Sequence, residues 1–149
     1  MKNLIKIAKK ARCLTEVFAS KHAYIGNTKN LGGYCAIGSK IILLLAEKTK
    51  YKGRLNLIQG YYGFKSEAFV WSEQGKIDCI NHCWVSYKNM IVDITYTQFV
   101  RSNLAVPVYV TPASNDYYLN ILKNERFDEM WKDQNPGNYT EELRELVSL

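Results

Sequence analysis

Two strand-like segments separated by two residues are the feature that most constrains how this chain can fold. Residues 77–87 and 90–95 are rich in β-branched and aromatic side chains, and Lys88-Asn89 stands between them. Two such segments joined by so short a turn are typical of a tight antiparallel hairpin. We therefore expect an antiparallel sheet whose register is set by this turn.

The register of the hairpin brings two polar side chains together. With Lys88-Asn89 as the turn, His82 faces Thr95 and Trp84 faces Asp93. All four side chains share one face, with His82 and Asp93 on a diagonal about 7–8 Å long at the backbone, which is within reach of a hydrogen bond. A polar pair on a solvent-facing sheet is the alternative, although Trp84 on the same face argues for a covered site.

The first half of the chain predicts two helices and a strand. Apolar residues at a spacing of three to four predict an amphipathic helix over about 3–19. The turn-rich segment 26–33 then leads into an apolar stretch, 35–48, that we interpret as a buried central helix. Residues 55–60 alternate like a strand, and residues 67–71 form a second candidate strand.

After the hairpin, the chain is expected to become helical again. Beyond Pro107 and Pro112, helices are predicted over about 114–149, the last of them beginning near Asn138 or Thr140. Helices, then a small sheet, then helices predict an α+β fold. A chain of 149 residues without a visible linker is expected to be a single domain, 1–149, with its core over about 26–100.

Cys35 is the best candidate for a nucleophile. Gly32 and Gly33 precede it, and the predicted central helix begins at Cys35. Unpaired backbone N–H groups and the positive end of the helix dipole favour thiolate over thiol at such a position. The alternative is a small, inert, buried side chain.

A cysteine at a helix start, with a histidine and an aspartate on adjacent strands, is the arrangement that thiol acyl transfer requires. His82 would accept the proton of Cys35 and later protonate the leaving group, and Asp93 would orient the imidazole. The sequence therefore predicts a catalytic triad of Cys35, His82 and Asp93.

Three motifs give the chain a family resemblance. Gly-Tyr-Cys-Ala at 33–36, Asn-His-Cys-Trp-Val at 81–85 and Ile-Val-Asp-Ile-Thr at 91–95 occur in this order, and the last continues as Thr-Tyr-Thr-Gln-Phe at 95–99. Together they resemble the transglutaminase-like branch of the papain-like cysteine proteases, in particular its small bacterial members such as lasso-peptide leader peptidases.

The resemblance implies a papain-like core, in which the helix carrying Cys35 packs on a small antiparallel sheet carrying His82 and Asp93. It also implies acyl transfer from an amide of a protein or peptide substrate, without a cofactor. The acceptor would be water in a cysteine protease or protein-glutamine deamidase, and an amine in a transglutaminase. We expect hydrolysis, because few residues are left to build the closed tunnel that keeps water from a thioester.

Further residues near the triad are candidates for binding the oxyanion or the substrate. The backbone N–H of Cys35 is the expected first oxyanion donor. Asn27 or Asn30 could supply the second, although each could equally shape a turn. Gln98 matches the family extension, and an aromatic loop over 60–64 could line a substrate groove. The side chains assigned to these roles are Tyr34, Asn30, Gln98, Trp84 and Tyr61.

The charge distribution leaves one alternative function open. The net charge is +6, and residues 1–65 carry 13 lysines and arginines against two glutamates. A basic segment of this kind suits nucleic acid, but its charges are dispersed as on solvated helix faces. A non-enzymatic module that binds nucleic acid or protein is thus the alternative to an enzyme.

No metal site or membrane span is predicted. Cys79, His82 and Cys83 have a superficially suitable spacing, but on a strand the two cysteines lie about 13 Å apart and His82 points to the other face. The longest apolar run, 41–46, is far shorter than a membrane span, and lysines interrupt the amino-terminal segment. We expect reduced thiols and a cytoplasmic location, or delivery as an effector without a classical signal peptide.

Overall fold

The computed structural model describes residues 1–63, 80–99, 106–119 and 133–149. These residues form helices and strands in the order α1 (Lys2–Lys21), α2 (Cys35–Ala46), β1 (Asn56–Tyr62), β2 (Ile80–Tyr87), β3 (Met90–Asp93), β4 (Tyr109–Pro112), β5 (Tyr118–Leu119) and α3 (Thr140–Ser148). Single 3-10 turns occupy Tyr96–Gln98 and Pro136–Tyr139. The described chain is therefore mixed α+β, as predicted.

The strands form one antiparallel sheet in the order β4-β3-β2-β1-β5. Tyr87 pairs with Met90 and Val85 with Val92, so the predicted hairpin and its register are confirmed. Lys88 takes the left-handed conformation (φ 53°) that a tight two-residue turn requires. β3 ends at Asp93, so β2 extends past its partner strand towards His82.

The two faces of the sheet have different cover. Val85 and Val92 belong to the main core together with residues of α1, α2 and α3. The sheet covers one side of α2, and α1 and α3 contact it from other sides. This surrounding cover explains why α2 carries apolar residues on nearly every side. On the opposite face, Trp84 and Ile91 pack with Tyr118. Cys35, at the start of α2, thus lies against the central strand β2, which carries His82.

The predicted helix over 3–19 is α1, the predicted central helix over 35–48 is α2, and the strand over 55–60 is β1. The candidate strand over 67–71 and the start of the hairpin strand, 77–79, lie outside the described residues. Within the described ranges, none of the helices has the length and apolar character to cross a membrane.

The prediction of helices over about 114–149 is wrong in its first part. Asn115 makes a turn, accepting a hydrogen bond from the Tyr117 N–H at 3.0 Å, and Tyr118–Leu119 then pair with Tyr61 and Tyr62 as β5. Residues 120–132 are outside the described part, and the last predicted helix is α3. The helical spacing of apolar residues gave the wrong prediction here, because Tyr118 is buried in an aromatic cluster on the sheet and not on a helix.

A buried arginine fastens the first helix to the segment that follows β3. The Arg12 guanidinium on α1 donates to the Ile94 carbonyl at 2.8 Å and to Thr97 Oγ1 at 2.9 Å. Its Nε donates to Glu16 one helical turn away, at 2.8 Å. Arg12 therefore holds the chain directly after Asp93 in place.

We expect Arg12→Met to destabilise the fold by about 2–3 kcal/mol, because the carbonyl of Ile94 loses a charge-assisted hydrogen bond in a buried site. Glu16→Gln is the matched control. It removes only the outer ion pair, on a side chain that is 52% exposed, and should change stability by less than about 0.5 kcal/mol. Urea unfolding followed by circular dichroism measures both. Equal effects of the two substitutions would contradict the anchoring role.

Candidate active site

The predicted diagonal pair on the hairpin forms a buried hydrogen bond. His82 Nε2 lies 2.7 Å from Asp93 Oδ2, and the two side chains are 0% and 1% exposed. Both side chains project from the face that also carries Trp84, as the register requires. The hairpin by itself therefore brings an imidazole and a carboxylate together.

Asp93 is held by three further donors. The backbone N–H of Thr95 donates to Oδ1 at 2.9 Å, and the Thr95 hydroxyl lies 3.3 Å from the same oxygen. The Tyr118 hydroxyl donates to Oδ2 at 2.8 Å. Burial alone would raise the pKa of Asp93, but the charge of His82 and these hydrogen bonds lower it below its ordinary value. The carboxylate is thus ionised and fixed in orientation.

The imidazole of His82 lies among aromatic rings. Phe99 meets it edge-on at 4.7 Å between centroids, and Trp84 lies 5.9 Å away. Burial would lower the pKa of His82, but the negative charge of Asp93 and its hydrogen bond outweigh burial and raise the pKa to about 10. His82 is therefore an imidazolium at neutral pH.

Cys35 is the first residue of α2 and is buried at 2% exposure. Its side chain packs in a small buried cluster with Ala36 and with Cys83 of β2. Burial would raise the pKa of Cys35, but the hydrogen bonds from Cys83 and His82, together with the charge of His82, lower it to about 6. The site therefore favours a thiolate and imidazolium pair at neutral pH.

The loop before α2, residues 26–34, is tightly packed. The Cβ of any residue replacing Gly26 would come within 2.0 Å of the Gly32 carbonyl oxygen, so the two ends of the loop touch. The Asn27 N–H donates to that carbonyl at 2.8 Å, and Gly33 takes a positive φ of 94°. Thr97 donates to the Asn30 carbonyl at 2.8 Å, which ties the loop to the segment after Asp93. This loop positions Cys35, at the start of α2, against β2.

The structure gives Tyr34 and Asn30 structural contacts. Tyr34 is fully buried, and its hydroxyl donates to the His22 carbonyl at 2.8 Å. Asn30 Oδ1 accepts from the Gly32 N–H at 2.8 Å, and Asn27 Oδ1 accepts from Lys29 and Asn30. Both asparagines therefore shape the turn, which was the alternative to an oxyanion role.

The other three predicted binding residues have different positions. The Gln98 amide nitrogen donates to the Thr95 carbonyl at 3.0 Å and lies 3.5 Å from His82 Nδ1, so Gln98 belongs to the site. Trp84 is 2% exposed and packs edge-on against Tyr118 at 5.1 Å, beside His82. Tyr61 pairs with Asn81 across the sheet, which places it on the face carrying Cys83 and away from that of His82.

The sequence gives no site role to Tyr118 or Cys83, which contact Asp93 and Cys35. The apolar spacing predicts a helix at Tyr118, and only the pairing of this residue with β1 brings it to Asp93. Cys83 was treated as a strand residue without a role, although its neighbour His82 points to one face and Cys83 to the face on which α2 packs. The alternation of side chains between the two faces of β2 was the sequence feature that could have identified Cys83 as a residue near Cys35.

Metal ligation is not indicated in the described part of the chain, where no three His, Cys, Asp or Glu side chains are grouped for a metal ion. Cys79 of the superficially suitable sequence lies outside the described residues. His82 and Cys83 project from opposite faces of β2, as the strand prediction requires.

Comparisons of the chain with protein-family models, with curated proteins and with solved structures found no match in any of the three. The function of the chain is therefore inferred from the geometry of the site.

We expect the rate of Cys35 alkylation by iodoacetamide to rise with pH through an inflection near 6, because the thiolate is the reactive form. In Asp93→Asn, His82 loses the charge that keeps it protonated, and the inflection should move towards the ordinary cysteine pKa of about 8.5. Asp116→Asn, the same substitution at an exposed aspartate, is the matched control and should leave the inflection in place. Peptide mapping by mass spectrometry follows Cys35 separately. An unmoved inflection in Asp93→Asn would show that the carboxylate does not control the thiol.

We expect Tyr118→Phe to lower the free energy of unfolding by about 1.5–3 kcal/mol, since it removes a buried hydrogen bond to a charged group. Tyr117→Phe deletes the hydroxyl of the neighbouring tyrosine, which is 46% exposed, and should cost less than about 0.5 kcal/mol. Denaturant titration compares the two. If Tyr118→Phe is as stable as the control, the hydrogen bond from the Tyr118 hydroxyl to Asp93 does not contribute to the free energy of unfolding.

Proposed function

We propose that this chain is a cysteine-dependent enzyme that transfers acyl groups from amides, with Cys35 as nucleophile, His82 as general acid and base, and Asp93 as the residue that orients His82. The observation that carries this proposal is the 2.7 Å buried bond between His82 Nε2 and Asp93 Oδ2. Cys35 lies near enough to the same imidazole for His82 to lower the pKa of the thiol. The bond to Asp93 fixes Nε2 and leaves Nδ1 for exchange with the nucleophile and the substrate.

The proposed reaction has two halves. The Cys35 thiolate attacks the amide carbonyl, and the imidazolium of His82 gives its proton to the departing amine, which leaves a thioester on Cys35. His82, now neutral, takes a proton from the acceptor, and the acceptor attacks the thioester. The thiolate leaves, and the proton on His82 restores the starting ion pair. Asp93 stabilises the imidazolium throughout.

We propose two donors for the oxyanion. The backbone N–H of Cys35 lies in the first turn of α2, where the helix dipole adds positive potential. The Gln98 amide nitrogen, 3.5 Å from His82 Nδ1, is the second donor that we propose. We propose Gln98 in place of Asn30 because Gln98 lies beside His82, whereas the Asn30 side chain bonds within the loop before α2.

The proposal includes the fold family. A helix that begins at the nucleophilic cysteine and packs on an antiparallel sheet carrying histidine and aspartate is the arrangement expected of a papain-like core of the transglutaminase-like branch, here with α2 against β1 and β2. We further propose that water is the acceptor, which makes the chain a cysteine protease or a protein-glutamine deamidase acting on proteins or peptides. Cys13, Cys35 and Cys83 are free thiols, which suits a reducing compartment such as the cytoplasm.

Two probes test the proposed function without knowledge of the natural substrate. p-Nitrophenyl acetate, an activated ester, should acetylate Cys35 in the wild type. A random peptide library containing glutamine, supplied with a biotinylated primary amine, should show cleavage or deamidation by mass spectrometry. Cys35→Ala should abolish both reactions, and Asp93→Ala should slow turnover by about 10⁴-fold.

The alternatives give different results with the same probes. Amine-modified glutamine as the main product would leave the triad in place and identify a transglutaminase. Wild type and Cys35→Ala chains that behave alike with both probes would overturn the enzymatic proposal and favour the binding module.

A further inference from the structure

A second thiol lies directly against the proposed nucleophile. Cys83 is 1% exposed and packs with Cys35 and Ala36 in a small cluster between α2 and β2, which Leu57 of β1 partly covers. The reaction proposed above uses Cys35, His82 and Asp93 and requires nothing of Cys83. A buried thiol in contact with a nucleophilic thiol is therefore a feature that the proposed catalysis leaves unexplained.

The two thiols have unequal chemistry. The pKa of Cys83 is raised, because its hydrogen bond with Cys35, its burial and the nearby negative charge of the Cys35 thiolate all favour the protonated form. The pKa of Cys35 is lowered to about 6. The pair therefore consists of one thiolate that an oxidant attacks readily and one neutral thiol beside it.

We infer that Cys35 and Cys83 form a reversible oxidation site, in which hydrogen peroxide converts the Cys35 thiolate to a sulfenic acid and Cys83 resolves it as an intramolecular disulfide. As regulation of the enzyme, this inference rests on the proposed function. The disulfide would block the nucleophile while protecting it from irreversible oxidation.

The chemistry balances in two steps. The Cys35 sulfur attacks one peroxide oxygen and the O–O bond breaks, and the hydroxide that leaves accepts the proton of His82 to become water. The Cys83 sulfur then attacks the sulfenic sulfur, the S–S bond forms and the S–O bond breaks. The departing hydroxide takes the Cys83 proton and leaves as water. A dithiol reductant such as dithiothreitol reduces the disulfide to the two thiols and is itself oxidised to a cyclic disulfide.

The test uses the Cys79→Ala chain, because trypsin cleaves after Lys76 and Lys88 and would otherwise leave Cys79 and Cys83 in one peptide. After treatment with hydrogen peroxide, a digest without reductant should contain the peptide of Cys35 linked to that of Cys83. Iodoacetamide labelling of Cys35 should be lost and should return with dithiothreitol. The same mapping on the wild-type chain, with peptide fragmentation to separate the two cysteines, serves if Cys79→Ala fails to fold.

Cys83→Ser in the same background is the matched control. There the sulfenic acid has no resolving thiol, so Cys35 should advance to sulfinic acid and dithiothreitol should not restore its labelling. Absence of the Cys35 to Cys83 link, or equal recovery of labelling with and without Cys83, would overturn the inference. These readouts need no turnover. A chain that forms the disulfide but reacts with neither acyl probe refutes the proposed function alone, and an active chain without the disulfide refutes this inference alone.

Discussion

The buried contact between His82 and Asp93 is the interaction on which the rest of the site depends. An ionised carboxylate at 1% exposure is costly unless it is paired and hydrogen-bonded. Here the imidazolium of His82, the backbone and hydroxyl of Thr95 and the hydroxyl of Tyr118 satisfy it. The hydrogen bonds from Cys83 and His82, together with the charge on His82, then lower the pKa of Cys35, so the buried carboxylate that keeps His82 charged contributes to the protonation state of the proposed nucleophile.

Much of this arrangement could be predicted from the sequence because it is local. The two-residue turn at Lys88-Asn89 fixes the register, and the register fixes which side chains share a face. His82 and Asp93 are eleven residues apart and meet within one hairpin. Cys35 was recognisable for a similar reason, since Gly32 and Gly33 before an apolar run mark the start of α2.

The parts that could not be predicted depend on contacts between distant segments. Tyr118 reaches Asp93 only because β5 pairs with β1, and the helix-like spacing of apolar residues after Ser114 gave no sign of that pairing. The sequence places Arg12 among the dispersed basic residues of the first half of the chain, which are typical of solvated helix faces, whereas its guanidinium is buried and bonds to the Ile94 carbonyl. Such positions are decided by which surfaces pack together, and neither local periodicity nor turn chemistry reports on that.

The hydrogen bonds of Arg12 affect the order in which parts of the chain fold. The hydrogen bond from Arg12 to the Ile94 carbonyl joins residues 82 positions apart, next to the carboxylate that organises the site. Contacts of such sequence separation form late, because a large loop must close before they stabilise anything. The segment that carries Asp93 is therefore fastened only after α1 has docked on the finished hairpin. A partly unfolded chain in which α1 has left the hairpin would lose this anchor, and under the proposed function its Cys35 would then lack an imidazole aligned by Asp93.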